Sequence, residues 1–251
     1  MARNPGLHPK RAVKTIILYP IPLDNWGVFE PFARRFADTF RQHPPGDEYE
    51  LWGMCCFAIP SDPVREIFRD INCTFHSYYH RSQDGIGAHQ FASWLFNENV
   101  FMVGMTSRCY FHRAGWLTKL VDARNKYGPG LYGLCANRET HPLHICCRCY
   151  AIDSDDFKQY PYVLNTREMG FVFETGDGIT IDPAHVWIKN QGKAAKVVMW
   201  DGVYDEPEWF TPNNRWRHGD QSNVLVWDKH TDEYMNASPE EKEKLAAHCH
   251  V

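Results

Sequence analysis

Residues 101–117, FMVGMTSRCYFHRAGWL, contain the pattern that decides the fold. The first five are apolar without alternation, which is typical of a strand buried on both faces. A short polar loop from Thr106 to Arg108 follows, and Trp116 and Leu117 begin a segment whose apolar residues recur at helical spacing. A buried strand, a polar loop and an amphipathic helix indicate a β–α unit whose loop lies at the carboxyl end of the strand.

The alternation of strand and helix extends to both sides of this stretch. KTIILYP, residues 14–20, predicts a buried strand, and phenylalanines at helical spacing after it predict an amphipathic helix. Further apolar or β-branched runs predict strands at residues 49–57, 73–79, 130–135, 144–152 and 194–200. We therefore predict an α/β fold with a mostly parallel, Rossmann-like sheet and helices on both faces.

The chain of 251 residues, 43% of them hydrophobic, is long enough to form one domain with a sizeable core. We predict an N-terminal tail at residues 1–13, the domain at 14–237, and a terminal helix and tail at 238–251. Ser238 and Glu241 form a capping box that opens this last helix. Residues 201–234 are polar and rich in aromatic side chains, and a long irregular segment inside a compact domain is usually functional.

Composition argues against several classes of protein. The formal net charge of −4 leaves no basic excess for nonspecific phosphate binding, which disfavours a nucleic-acid partner. No apolar run reaches the ~20 residues that a bilayer span needs. The nine cysteines include adjacent pairs and suggest free thiols in a reducing compartment. We expect a cytoplasmic protein of a bacterium or a virus-infected cell.

Two blocks carry a family resemblance. YFHRAGWLTKLVDARNKYGPGLYG, residues 110–133, resembles the stretch after the central strand of glycosyltransferases with the GT-A fold. RHGDQSNVLVWDKHTDEYMNASPEEKEKL, residues 217–245, is similar to the tails of bacterial and viral glycosyltransferase-like proteins, in which a polar loop closes over the donor. The resemblance covers most of residues 14–245. It implies transfer of a hexose from a nucleotide diphospho-sugar, first of all a UDP-sugar, to a hydroxyl of a glycan or small-molecule acceptor.

The loop after the central strand departs from the family pattern. There the family usually holds Mn²⁺ or Mg²⁺ with two carboxylates, but the alignment places Thr106, Ser107 and Arg108 at these positions. Arg108 could instead bind phosphate oxygens with both prongs of its guanidinium, as a cationic substitute for the metal. The alternative is an ordinary surface or ion-paired arginine at a strand end.

Other residues are expected at the donor site by the same resemblance. Asp84 could contact ribose or base ahead of Gly85, although a simple helix start explains the same residues. His218 and Gln221 are expected near the diphosphate.

Asp228, His230 and Asp232 alternate along the chain, so an extended backbone would place them on one face. The first two could then hold a divalent metal. A solvated, hydrogen-bonded loop is the alternative.

An inverting transferase needs a base to take the proton of the acceptor hydroxyl. Glu174, just after an apolar stretch, is the first candidate, and Asp177 and Asp201 are the next two. A glutamate at a helix end that contacts only backbone is the alternative.

Two further motifs have the spacing of metal sites but are better explained by structural roles. Asp153-Ser154-Asp155 has the spacing of a metal-binding carboxylate pair, but Ser154 is better placed to cap a helix. Cys146 and Cys149 have a zinc-like spacing, but on a strand they would point to opposite faces, so buried thiols are favoured.

Three other functions remain open. The chain could glycosylate a modified DNA base, as some phage enzymes do, with Arg215, Arg217 and Lys229 along a strand-binding edge. It could be a metal-dependent hydrolase built on His218, Asp228 and His230. It could also be a catalytically inactive relative that binds glycans.

Overall fold

A computed structural model of the chain describes residues 13–78, 85–137, 143–211, 214 and 217–247. Its strands are β1 (Thr15–Ile21), β2 (Glu50–Cys56), β3 (Cys73–Tyr78), β4 (Phe101–Met105), β5 (Gly130–Gly133), β6 (Ala136–Asn137), β7 (His144–Ile145), β8 (Cys149–Asp153), β9 (Ala194–Val198) and β10 (Val203–Tyr204). Eight of them form one sheet in the order β10-β9-β5-β8-β4-β1-β2-β3, and β6 and β7 form a separate hairpin.

The helices of the described residues are α1 (Trp26–Gln42), α2 (Asp62–Ile67), α3 (Ile86–Leu95), α4 (Trp116–Tyr127), α5 (Ser154–Gln159), α6 (Arg167–Thr175), α7 (Ala184–Asn190), α8 (Lys229–Asn236) and α9 (Pro239–Ala247). The capping box before α9 is confirmed, because Ser238 and Glu241 exchange hydrogen bonds between side chain and backbone. None of the helices in these parts of the chain combines the length and apolarity that a bilayer crossing requires.

The first four strands are parallel, in the spatial order β3-β2-β1-β4. Strand β8 lies between β4 and β5 and is antiparallel to both, and β5 is parallel to β9. Phe101 of β4 lies 5.5 Å from the Arg124 guanidinium of α4, whereas Gly104 of the same strand faces His89 of α3. Residues three apart in a strand point to opposite faces. Helices therefore cover both faces of the sheet, and the predicted α/β fold class is confirmed.

Close packing on the α3 face depends on Gly104. A Cβ at this position would lie 2.5 Å from Nδ1 of His89 and 3.0 Å from the Tyr150 ring. His89 and Tyr150 are themselves hydrogen-bonded at 2.9 Å, and burial lowers the pKa of His89 to about 3. The imidazole is therefore a neutral core group at physiological pH.

Aromatic side chains hold the opposite face together. Tyr19 of β1 stacks on Phe36 of α1 with ring centroids 3.8 Å apart, and Phe111 stacks on Trp116 of α4 at 4.5 Å. Phe36 also meets Phe111 edge-on at 5.4 Å, which joins the two stacks. Because aromatic pairs add to the burial term, this cluster fixes α1 and α4 next to the loop that follows β4.

Two local predictions were wrong. Residues 144–152 form two strands separated by a turn, since β7 belongs to the hairpin and β8 to the main sheet. Ser154 is the first residue of α5 rather than its cap, and its hydroxyl accepts the Val100 N–H at 3.1 Å. Asp153 holds the cap position, and its carboxylate accepts a hydrogen bond from Arg124 at 2.5 Å.

Candidate functional site

A cavity of about 330 Å³ opens where β4 ends. The loop after β4, the β6–β7 hairpin, the turn before β8, helix α6 and the start of α8 all contribute to its wall. The lining residues are Ile86, Thr106, Ser107, Arg108, Asn137, Cys146, Cys147, Arg148, Arg167, Gly170, Phe171, Glu174, Arg217, Asp228 and His230. The carboxyl ends of parallel strands are the usual ligand position in open α/β sheets, so this cavity is the candidate site.

The loop after β4 is fixed from two sides. The Thr106 N–H donates to the carbonyl of Arg148 at 2.9 Å, and the Tyr19 hydroxyl donates to the carbonyl of Ser107 at 2.8 Å. The Cys109 N–H returns to the Thr106 carbonyl at 3.2 Å and closes a turn. A loop tied to β1 and to the start of β8 presents its next side chain, Arg108, in a defined direction.

Arg108 is half-buried in the cavity wall, with its guanidinium 5.4 Å from the Phe29 ring. Within the described parts of the chain it forms no ion pair with a carboxylate. The alternative of an ion-paired strand-end arginine therefore finds no support there. Its positive charge faces the cavity and is available to an anionic ligand.

The antiparallel strand β8 brings a second arginine to the same edge of the sheet. Because β8 runs against β4, the residue before β8 lies beside the residues after β4. That residue is Arg148, which is 7% exposed and donates to Asp228 at 3.3 Å, to Thr231 at 3.1 Å and to the Cys135 sulfur at 3.2 Å. Burial opposes its charge, but Cys135 and Asp228 raise the pKa of Arg148 above its ordinary value.

Asp228 is the N-cap of α8, so the backbone that follows it is helical and not extended. The common face considered for Asp228, His230 and Asp232 therefore does not form. Its carboxylate accepts the Thr231 N–H at 2.9 Å, as an N-cap does. His230 contacts Glu233 at 2.7 Å and Arg217 at 2.9 Å. Asp232 does not line the cavity and bonds to Arg35 at 2.5 Å; it is two residues, or about 200° of helix rotation, from His230.

The same contacts bear on the predicted metal site. Asp228 is committed to its cap and to Arg148, and His230 to an ion pair and a guanidinium contact. Nowhere in the described ranges do three or more His, Cys, Asp or Glu residues form a group that could hold a metal ion. The side chains of the described ranges therefore do not fit the Mn²⁺ or Mg²⁺ that the family resemblance implies.

Glu174 lies in the last turn of α6 and lines the cavity. Its Oε1 atom accepts the Cys147 N–H at 2.7 Å and lies 3.7 Å from Nε2 of His144. The side chain is 16% exposed. One carboxylate oxygen is thus anchored to the backbone, which orients the group toward the cavity.

The other two candidate bases lie elsewhere. Asp177 accepts the backbone N–H groups of Ile179, Thr180 and Ile181 at 2.7–2.9 Å, and these bonds hold its pKa well below the ordinary value. Asp201 accepts a hydrogen bond from Asn223 at 2.8 Å. Neither lines the cavity, and both carboxylates shape exposed turns.

Two donor-site predictions also fall outside the cavity wall, and a third lies outside the described residues. Gln221 is buried, and its side-chain amide donates to the backbone carbonyl of His218 at 2.8 Å. The backbone carbonyl of Gln221 accepts the Trp227 indole N–H at 2.8 Å. These hydrogen bonds connect residues of the C-terminal segment to one another, and neither His218 nor Gln221 lines the cavity. Asp84, like Arg215, lies outside the described residues.

Three arginines in the wall were not predicted at the donor site. Arg148 could have been found as the charged residue inside an otherwise apolar run, HICCRCYAI. Arg167 shares one face of α6 with Gly170, Phe171 and Glu174, which recur at helical spacing. Arg217, which had been considered only for DNA binding, has a φ of 53°, and such a residue is often found at functional sites.

The charges of the wall are unequal. Four arginines and two acidic residues line it; Arg148 is paired with Asp228, and Arg217 lies 3.6 Å from Glu233 just outside the wall. Arginine is the side chain best matched to phosphate oxygens, because its fork donates two parallel hydrogen bonds. The cavity is therefore suited to an anion with several oxygens, such as a diphosphate.

Comparisons with known proteins found likeness among solved structures only. No family model matches the chain. No curated protein matches it either. The mannosyltransferase PcManGT from Pyrobaculum calidifontis, in complex with GDP-Man and Mn²⁺, is 12% identical over 61% of this chain and 48% of its own, with a TM-score of 0.44. Mouse xyloside xylosyltransferase 1 is 8% identical over 60% and 71%, with a TM-score of 0.43.

S. aureus TarS 1-349, in complex with UDP, is 14% identical over 48% of this chain and 34% of its own, with a TM-score of 0.35. The chain thus spans less than half of the PcManGT and TarS chains. Two of these three structures are named as sugar transferases, a mannosyltransferase and a xylosyltransferase.

Proposed function

We propose that the chain transfers a sugar from a nucleotide diphospho-sugar to a hydroxyl of an acceptor. The observation that carries the proposal is the cavity at the end of β4, where four arginines converge. Departure of a nucleoside diphosphate leaves negative charge on phosphate oxygens, and fixed cationic donors stabilise that charge as it develops. Guanidinium groups supply such donors without a metal.

The roles of the arginines follow from their partners. Arg108 forms no described ion pair and is the principal ligand of the diphosphate in this proposal. Arg148 is tied to Asp228 and Thr231, so it acts mainly by fixing α8 and by adding positive potential. Arg167 and Arg217 lie on the remaining sides of the cavity and extend the same field.

Glu174 is the proposed base. In an inverting transfer its carboxylate takes the proton of the acceptor hydroxyl while the new carbon–oxygen bond forms and the bond to the diphosphate breaks. The anchored oxygen keeps the carboxylate in place, and the cavity brings it into the same space as Arg108. A UDP-sugar is the first donor to test, and a glycan or small molecule is the expected acceptor.

Two alternatives predict different results. A metal-dependent hydrolase is disfavoured because Asp228 and His230 are engaged with other side chains. A catalytically inactive glycan-binding relative would use the same cavity but would not turn over a donor. Transfer to a modified DNA base would require a DNA acceptor in the assay, and the net charge of −4 disfavours it.

The test is a panel of UDP-, GDP-, dTDP- and CMP-sugars in a thermal-shift assay, with and without Mn²⁺. A ligand that binds only the native state raises the melting temperature by mass action. The proposal predicts a shift for at least one donor without Mn²⁺, followed by release of its nucleoside diphosphate. Binding of none of them at millimolar concentration would refute it, and binding without turnover would indicate the inactive relative.

A further inference from the structure

Cys135 and Cys146 face each other at the open end of the β6–β7 hairpin. Ala136 is paired with Ile145, and the Cys146 N–H donates to the Cys135 carbonyl at 3.0 Å, so the two cysteines form the next pair of the ladder. Their side chains form a small cluster apart from the main core.

The backbone geometry of this pair suits a disulfide. Directly opposed, hydrogen-bonded residues of an antiparallel ladder have Cα atoms about 5.5 Å apart. Disulfides form readily when this separation is about 4.4–6.8 Å. Oxidation of the two thiols would therefore need rotation of the side chains and little movement of the backbone.

The surroundings also favour a reactive sulfur. Arg148 donates a hydrogen bond from Nη2 to the Cys135 sulfur at 3.2 Å. Burial raises the pKa of the Cys135 thiol, but the hydrogen bond with Cys146 and the charge of Arg148 outweigh burial and lower that pKa below its ordinary value. The thiolate is the form that reacts in disulfide exchange. The Cys135 sulfur is therefore the more easily ionised of the two, and its thiolate can accept the proton of Cys146.

The two cysteines differ in their position relative to the cavity. Cys135 is fully buried, whereas Cys146 lines the cavity. The neighbouring Cys147 also lines the cavity, but its backbone N–H is held by Glu174 and its thiol donates to the Ile145 carbonyl at 3.7 Å. No guanidinium contact is found at the Cys147 sulfur among the described residues, so Cys147 serves as an internal reference.

We infer that Cys135 and Cys146 are a redox-sensitive dithiol, which a small organic disulfide entering the cavity oxidises to an intramolecular disulfide. Cys146 passes its proton to Cys135 and attacks one sulfur of the reagent, whose other half leaves as a thiolate. Cys135 then attacks the Cys146 sulfur of the mixed disulfide, and its proton leaves with the second thiol. The dithiol loses two electrons and the reagent gains them. The inference does not rest on the proposed sugar transfer, although Cys146 lines the same cavity.

The test uses the full chain and mixtures of oxidised and reduced glutathione at pH 7.5, quenched with acid and then alkylated. Before alkylation, the intact mass should fall by two hydrogens as the mixture becomes oxidising, and recover in excess reduced glutathione. A tryptic map should show a link between the peptide that contains Cys135 and the peptide that contains Cys146 and Cys147.

Variants assign the link. Cys147→Ser should retain it, Cys146→Ser should lose it, and Cys135→Ser should stop at a glutathione adduct on Cys146. Circular dichroism checks that each variant is folded. Should one of them fail to fold, fragmentation of the linked peptides from the unsubstituted protein identifies the sulfurs. Absence of the Cys135–Cys146 link in natively folded protein, or a predominant link through Cys147, would overturn the inference.

Discussion

Replacement of Arg108 by alanine tests the central feature of the site. Arg108 lines the cavity, and no described carboxylate pairs with it. Truncation therefore leaves no unpaired buried anion behind, and the lost affinity measures the contact with the ligand itself. This distinguishes Arg108 from Arg148, whose removal would strand the buried Asp228.

The size of the effect follows from the contact. A hydrogen bond to a charged group is worth about 1.5–3 kcal/mol. Loss of one such contact should raise the Kd for a nucleoside diphosphate by roughly 10- to 150-fold. Arg108→Lys should recover only part of the loss, because a point charge on a flexible chain cannot reproduce the two-pronged contact.

The assay is isothermal titration with UDP and with the donor found in the panel, at fixed ionic strength. Arg113→Ala is the matched control. It removes the same charge from an exposed side chain that packs on the Trp200 ring outside the cavity. Equal loss of affinity in the two variants would indicate a general charge effect. An unchanged Kd in Arg108→Ala would refute the role of the loop after β4.

Other perturbations give distinct outcomes. Glu174→Gln should lower the rate of the chemical step by roughly 10²–10⁴-fold with donor affinity nearly unchanged in single-turnover assays, and near-normal turnover would exclude it as the base. Excess EDTA should leave turnover unchanged, because the described residues form no metal-binding group; full loss that Mn²⁺ restores would show that the ion is held elsewhere. Asp228→Ala should destabilise the protein by about 3–5 kcal/mol in urea titrations, since it removes both the N-cap of α8 and the carboxylate partner of the buried Arg148; a much smaller change would indicate that this ion pair adds little to stability. The free energy of unfolding should also fall between pH 7.5 and pH 5. Burial lowers the pKa of His89 to about 3 and that of His185 to about 4 in the folded protein. In the unfolded chain both histidines have a pKa of about 6.5, so below that pH the unfolded state binds more protons than the folded state. Each histidine should account for about 2 kcal/mol at pH 5, and a flat profile would contradict this.

The sheet could be predicted from sequence because its signal is local. Runs such as FMVGM are apolar without alternation and too short for a buried helix, which is typical of a strand covered on both faces. Residues 144–152 were predicted as a single strand because the run is almost entirely apolar. Hydropathy reports burial but does not distinguish a hairpin strand from a strand of the main sheet, so the turn between β7 and β8 was missed.

The candidate site was only partly predictable. Four predicted residues do line the cavity: Thr106, Ser107, Arg108 and Glu174. The first three come directly after a strand and the last lies in the final turn of a helix, and both positions can be recognised from local sequence. Arg148 reaches the cavity only because β8 is antiparallel to β4, and strand direction is not written in hydropathy. Asp228 was expected in an extended segment, whereas its own side chain caps a helix.

The long-range hydrogen bonds of α8 and its cap affect the order in which the chain folds. Asp232 bonds to Arg35, 197 residues away, and Asp228 bonds to Arg148, 80 residues away. Contacts of such high sequence separation form late, since closure of long loops costs entropy before any contact is gained. During synthesis the strands from β1 to β4 can pair long before residue 228 leaves the ribosome. The cavity is then completed last, so a nucleotide would bind only to chains that have finished folding.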